Sequence, residues 1–509
     1  MIVLDRHDQL DLELYRRIAF EHEAVAVAPA LLDTVDQRRT AMLAHLAGGT
    51  RAYGINTGLG YLADRTVEST DQAAFQRSIL VGRAAALGPA LSEPVVRGVM
   101  LLRLTGFLSG DAGVSGELCR FIANRLNDGW LPVVPAGISG AAGETVPLAH
   151  LFQTLVGEGG VRVGADVVAA SEALAERSVT PYELGAKEGL ALINGAPVAP
   201  ALGVSLALRA EAMVEHATLA GALTIMLTRS SARPYCARVG RLKGDPGQQR
   251  VHHRLGELLD GQARLDNAFQ APVSLRVIPQ VHGAALDLLD HLYTQLAREL
   301  RAVTDSPVFL PAQDGEPEGL YPTGNFHAQA ITLLLDALAV GCTQVLNLAE
   351  KRLHRLLDSR FSHLPDQLAR HPGPQSGLVV LHKQVLGLAA EARTLAAPAA
   401  VHAADASTGQ EDFQAYTLLS ALELERILAH LQLGLAYELV ALLQASALGG
   451  VDLPARLERA MAQLADVVAE MREDRPLAED VRRVFELIGS GNLVPEAPRW
   501  TSLVAAPES

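Results

Sequence analysis

Leu424, Leu428, Leu431, Leu435, Leu439 and Leu442 recur at spacings of four and three, the interval that places side chains on one face of an α-helix. Leu334, Leu338, Cys342, Val345, Ala349, Leu353 and Leu356 repeat the pattern in a second segment. Stripes this long have to be buried against other helices, so the second half of the chain is predicted to be an elongated bundle. Strand-like alternation is rare and no fixed-period repeat stands out, which makes the expected class mainly α. The earlier part reads differently, with short helical segments alternating with glycine-containing loops. We therefore divide the chain into a loop-rich helical region over 1–205 and a long-helix bundle over 206–509. Nothing between them reads as a flexible linker, so the two are expected to form one continuous fold.

Composition limits the partners. Hydrophobic residues make up 49% and charged residues 20% of the 509, as in a globular protein able to bury a large core. The net charge of -14, from 43 basic and 57 acidic residues, argues against nucleic acid or an anionic membrane surface. The longest uncharged run, Gly189 to Leu208, is broken by Asn194, Gly195, Pro197 and Pro200, so it is not read as a membrane span. Cys119, Cys236 and Cys342 are widely spaced and carry no metal or redox motif, and are expected to be reduced core thiols. The start, Met-Ile-Val-Leu-Asp-Arg, is charged within five residues and shows no targeting segment, so a cytoplasmic location is expected. The tail from Pro495 to Ser509, with three prolines, reads as a surface extension.

The chemistry concentrates in Pro135-Ala-Gly-Ile-Ser-Gly-Ala-Ala-Gly-Glu-Thr-Val-Pro-Leu-Ala-His150. Gly137, Gly140 and Gly143 allow backbone conformations that residues with a Cβ resist. Thr145 can cap the helix that follows, and Pro147 suits its first turn. Ala141, Ala142 and Gly143 then sit at the positive end of a helix dipole, where negative charge is stabilised.

This stretch resembles the signature of the aromatic amino acid ammonia-lyase family, which includes the histidine and phenylalanine ammonia-lyases. That family carries Ala-Ser-Gly where this chain reads Ala141-Ala142-Gly143. There the tripeptide cyclises and loses water to give methylidene-imidazolone, an electrophile whose exocyclic carbon is the serine Cβ. Ala142 has no oxygen to lose, so the expectation here is an ordinary peptide and no cofactor. Tyr53-Gly-Ile-Asn-Thr-Gly-Leu-Gly60 is similar to the family loop whose tyrosine removes a substrate proton, which implies that role for Tyr53. An unperturbed phenol, with a pKa of about 10, would need nearby positive charge to serve as a base.

Other stretches follow in the family's order. Gly189-Leu-Ala-Leu-Ile-Asn-Gly195 makes Asn194 either a capping amide or, by resemblance, a contact of substrate or electrophile. Gln270-Ala-Pro-Val-Ser-Leu-Arg-Val-Ile-Pro-Gln-Val-His-Gly283 implies Gln270 and Arg276 in substrate binding. A guanidinium can grip a carboxylate with two parallel hydrogen bonds. The family's second catalytic tyrosine is replaced by Val273, which cannot relay a proton. Gly324-Asn-Phe-His327 makes Phe326 a wall of the pocket, and Gly409-Gln-Glu-Asp412 brings Gln410 and Glu411 to the site. Glu411 is equally explained as an acidic residue heading a helix. Where histidine ammonia-lyases carry a serine-histidine pair, this chain has Gly82-Arg83, and Arg83 suggests an anionic group on the substrate. No metal is implied.

The resemblance implies a homotetramer whose active sites combine loops of three subunits. Three functions remain open: an enzyme working without the electrophile, a serine-to-alanine inactive form of a conventional ammonia-lyase, and a noncatalytic ligand-binding homologue.

Overall fold

The computed structural model describes residues 1–260 and 270–493, and both leucine stripes lie on long helices within it. The helices used below are α1 (Gln72–Val81), α2 (Thr145–Phe152), α3 (Glu188–Ile193), α4 (Val198–Leu227), α5 (Ile278–Glu299), α6 (Gln329–Leu356), α7 (Val379–Leu395) and α8 (Thr417–Gly449). The six leucines on α8 are fully buried. On α6 the stripe is buried from Leu338 to Leu356, while Leu334 is only half-buried and Leu335 takes the inward position at that end. The class is mainly α, as expected. The strands form three two-stranded ribbons among the described residues: Ile2–Leu4 parallel to Val25–Val27, Gly160–Val163 antiparallel to Asp166–Ala169, and Val308–Leu310 antiparallel to Gly319–Tyr321.

α6 and α8 pack side by side, with α4 against α8 and α5, and α7 against both α6 and α8. Their register is readable from polar contacts across the seam. Thr332 meets Thr417 at 2.7 Å, Ser420 Oγ donates to Asp336 Oδ1 at 2.6 Å, and Arg352 pairs with Glu438. These partners are 85, 84 and 86 residues apart, a nearly constant offset that only parallel helices give. A parallel pair needs a long return connection, and α7 lies in it.

Three helical stretches, Glu188–Leu227, Gln329–Leu356 and Thr417–Gly449, are long and apolar enough to cross a membrane by length and composition. Within the fold, 89%, 61% and 78% of their most apolar windows are buried, so packing against other helices accounts for that character. The run from Gly189 is interrupted at Asn194, which ends α3 in an extended conformation. α4 passes through residues 205 and 206 without a break, so the loop-rich region enters the bundle through one continuous helix.

One expectation changes. Cys119 and Cys342 are buried thiols, but Cys236 is exposed; it stands just before a short helix on the surface instead of inside the bundle. The Pro495–Ser509 tail lies outside the described residues.

One polar contact is sealed within the bundle. Arg352 and Glu438 are 0% and 1% exposed and form a two-pronged pair at 2.7 and 2.8 Å. Burial pushes the Glu438 carboxyl above its usual range, and Arg352 pulls it part of the way back. Breaking such a pair strands a buried charge. Glu438→Ala should therefore cost about 3–5 kcal/mol of stability, read from urea unfolding. Replacing both partners with methionine and leucine should recover most of the loss, and an equal loss in the double variant would count against this account.

Candidate active site

The Tyr53 loop is knotted by its own side chains. Asn56 Oδ1 accepts from the Ala52 amide at 2.7 Å and its Nδ2 donates to Thr50 O at 2.8 Å. Gln76 on α1 donates to Gly54 O at 2.9 Å and accepts from the Leu190 amide of α3 at 3.0 Å, tying the loop to two helices. Tyr53 is left 39% exposed, and its hydroxyl oxygen accepts a hydrogen bond from the Gly60 amide at 2.8 Å. Gly60 takes φ +57°, a conformation glycine adopts without strain.

The glycine loop is held differently from the sequence expectation. Gly137, Gly140 and Gly143 are not among the residues with positive φ. Gly137 is required by close approach instead, since a Cβ there would lie 2.8 Å from Ala86 Cβ. Thr145 is the first residue of α2, and the cap position belongs to Glu144, with no side-chain capping bond. The Glu144 carboxyl group turns to the start of α4, accepting from the Val198 and Ala199 amides at 2.5 and 2.6 Å. It thereby caps α4 and fastens the glycine loop to the bundle.

Around this loop the fold gathers most of the expected residues. Glu411 Oε2 accepts from the Ala142 amide at 2.8 Å, and its Oε1 accepts from Ser407 Oγ at 2.7 Å. Glu411 does not head a helix: it lies in irregular chain before α8, which starts at Thr417, so helix-dipole stabilisation does not explain it. Gln410, beside it, is exposed. Arg83 follows α1, donating from Nη1 to Ile79 O at 2.9 Å. Burial lowers its pKa, opposed by the nearby Tyr53 and Glu411, which sets all three in one electrostatic neighbourhood. The His150 ring on α2 accepts from the Ala86 amide at 2.9 Å, holding the Arg83 turn against the glycine loop. Phe326 lines the same pocket as Ala141, Ala142 and Gly143, within 3.5 Å of where a Gly143 Cβ would stand. In the single chain this pocket has a volume of about 50 Å³.

Asn194 is beside the loop, since Gly195 O approaches Gly143. Its Nδ2 donates to Ser306 O at 2.5 Å, 112 residues away, a tertiary tie and not a bond to the last carbonyls of α3. A buried network fixes the helix before it. Lys187 Nζ meets Asp305 at 2.5 Å, Arg103 pairs with the same carboxylate at 3.4 Å, and Arg103 also donates to Ala191 O.

Gln270 and Arg276 stand apart from this cluster. Arg276 Nε donates to Ala271 O at 2.9 Å. With the Gln270 amide oriented to satisfy both partners, its oxygen accepts from Arg276 Nη1 and Nη2 at 2.9 and 3.1 Å. Among the described residues these hydrogen bonds stay within one turn and do not reach Tyr53. Val273, 60% exposed, faces outward from the same turn.

The comparisons agree with the geometry. The family model described as aromatic amino acid lyase matches residues 10–473. A histidine ammonia-lyase of Sorangium cellulosum is 37% identical over 504 residues, covering 95% of this chain and 97% of its own length. That of Anaeromyxobacter sp. (strain K) is 35% identical over 502 residues, covering 96% and 98%. The chain belongs to the aromatic amino acid lyase family. Among solved structures, a tyrosine aminomutase from Streptomyces globisporus superposes with a TM-score of 0.90 at 27% identity, covering 100% of this chain and 99% of its own. A histidine ammonia-lyase from Trypanosoma cruzi gives 0.89 at 26% identity, with the same coverage.

Members of the aromatic amino acid lyase family normally draw their electrophile from their own Ala-Ser-Gly. The residues at this position do not fit that group, because Ala142 carries no Oγ to eliminate. The site residue that sequence reasoning missed is Glu144. Its only signal was a carboxylate next to Gly143, and what it caps is an amide pair more than 50 residues away.

Glu144 is only half-buried as a residue, yet packing desolvates its carboxyl and pushes it up to about 8, against the pull of the two amides. Folding then favours the protonated form. The stability this gives is complete below the ordinary value of 4.5 and is lost as pH rises towards 8. Glu144→Gln, which keeps one of the two acceptor oxygens and has no proton to lose, should lower stability at every pH but flatten the fall in urea midpoint across that window. Equal slopes in wild type and variant would refute the assignment.

Proposed function

We propose that this chain is an ammonia-lyase-like enzyme that works without the methylidene-imidazolone electrophile, using Tyr53 for proton transfer on a small, carboxylate-bearing, amino-acid-like substrate. The observation that carries the reading is that Glu411, which accepts from the amide of Ala142, a residue with no hydroxyl, shares one electrostatic neighbourhood with Arg83 and Tyr53. The Gly60 amide donates to the Tyr53 oxygen and fixes its position, and Arg83 lies in the same electrostatic neighbourhood. As a base, Tyr53 can remove a proton already acidified by a neighbouring carbonyl. It has no covalent activation to offer an unactivated β-proton or a poor amine leaving group. The reaction is accordingly an elimination, addition, isomerisation or cyclisation of an activated substrate. Developing negative charge is met by the backbone amides at the start of α2.

Arg83 selects an anionic group, and Phe326 forms the wall of the pocket. The small single-chain pocket and the separate Gln270–Arg276 turn support a homotetramer in which a neighbouring copy brings Arg276 to the substrate carboxylate, with Gln410 and Asn194 at the margin. The setting is the cytoplasm, with neither nucleic acid nor membrane as partner. The 35–37% identity to histidine ammonia-lyases favours a second reading, an inactive serine-to-alanine form of such an enzyme. Val273, Arg83 and Gly409 weigh against it, because inactivation requires only one change. A noncatalytic ligand-binding homologue is the third reading.

The intact mass should equal that of the sequence, with no absorbance from a conjugated ring; a mass lower by two waters would overturn the electrophile-free reading. Tyr53→Phe should abolish turnover, a loss of at least about 100-fold, while calorimetric binding of small dicarboxylates stays nearly intact. No urocanate or cinnamate should form from histidine or phenylalanine. Robust formation of either product would sink the proposal, and turnover that survives Tyr53→Phe would remove Tyr53 as the base.

A further inference from the structure

Glu350 and His354 stand one turn apart on α6, and His382 reaches them from α7. Residues four apart share a helix face, so the three side chains converge at the seam between the two helices. One possible ligand atom from each lies within 4.8 Å of the other two. His382 Nε2 is 2.6 Å from Glu350 Oε1. The His354 and His382 rings are stacked, with centroids 4.6 Å apart and planes at 15°.

The group is remote from the chemistry described above. Glu350 lies 21 residues beyond the first residue of α6, about 30 Å along the helix axis, whereas Phe326 lies just before its start. A hydrogen-bonded Glu350–His382 pair that merely fastens α7 to α6 accounts for part of the arrangement. It leaves two features over. His354, with its ring free to turn into solvent, lies flat on a second imidazole. Glu350, only 1% exposed, has Oε2 held at 2.7 Å by Lys351 Nζ, the end of an exposed side chain that an incoming cation can displace.

Two imidazole nitrogens and a carboxylate oxygen are the donor set of three-ligand zinc sites, which leave the fourth position to water. A tetrahedral ion with bonds of about 2.0–2.1 Å separates its ligand atoms by about 3.3 Å. The cluster reaches that spacing by shifts of about 1.5 Å or less, which rotation of the exposed His354 side chain supplies. We propose that Glu350, His354 and His382 bind one divalent transition-metal ion of the zinc class, which clamps α7 to α6 and displaces Lys351 from Glu350.

The test uses the full-length protein after chelator treatment. Titration with cobalt(II) chloride should develop a visible d–d absorption that saturates near one equivalent per chain. Zinc chloride should bind with the same stoichiometry by calorimetry and raise the Tm. His354→Ala and His382→Ala should each weaken zinc at least about tenfold and abolish the zinc-dependent rise in Tm. His354 is exposed, so its variant should keep the wild-type Tm in chelator, which separates loss of a ligand from loss of the fold. Failure of the wild type to bind either ion at micromolar concentration would overturn the site, as would undiminished zinc binding in both histidine variants.

Discussion

The parallel burial of α6 against α8 is the contact on which the rest of the structure depends. Leucine, valine and cysteine side chains fill the seam, and removal of that much apolar surface from water supplies the dominant favourable free energy of such a bundle. The polar pairs Thr332–Thr417, Asp336–Ser420 and Arg352–Glu438 add little net energy but reject a shifted register. A slip of one turn would leave Arg352 and Glu438 as uncompensated buried charges.

That register reaches the site directly. Phe326 lies just before α6, and Glu411 and Tyr416 lie just before α8, so pinning the two helix starts together brings their leading loops to one place. The glycine loop is delivered from the other side by α4, whose first amides are held by Glu144. The site is thus assembled from helix beginnings, where unpaired backbone amides are concentrated. Such surroundings suit acceptor oxygens, and the side chains of Glu411 and Glu144 both supply them. A loop of Ala141, Ala142 and Gly143 with no side-chain chemistry of its own is still held in place by backbone bonding to charged neighbours.

The two arginines of the candidate site sit in different charge environments. Arg83 is partly desolvated and offset by Tyr53 and Glu411, while Arg276 is satisfied by Gln270 and Ala271 within its own turn. The two arginines therefore differ: one lies in the Tyr53 neighbourhood, and the other is held by partners within its own turn.

The sequence by itself determined the helical class and the identity of the buried stripes, because a period of three and four is a local property that burial reads without regard to topology. It also named most residues of the candidate site, since the Tyr53 loop, the 141–143 tripeptide, Phe326 and Glu411 lie in short contiguous motifs. The missing Ala142 hydroxyl is a fact of composition that no fold can alter. Only the tertiary structure decided that α6 and α8 run parallel, that Glu144 caps α4 and not its own helix, and that Gly137 is required by Ala86 instead of by its own φ. It likewise separated Arg276 from Tyr53 within the chain. These features depend on pairs of residues tens to hundreds of positions apart, and a local pattern holds no record of which distant amide or methyl group will arrive beside it.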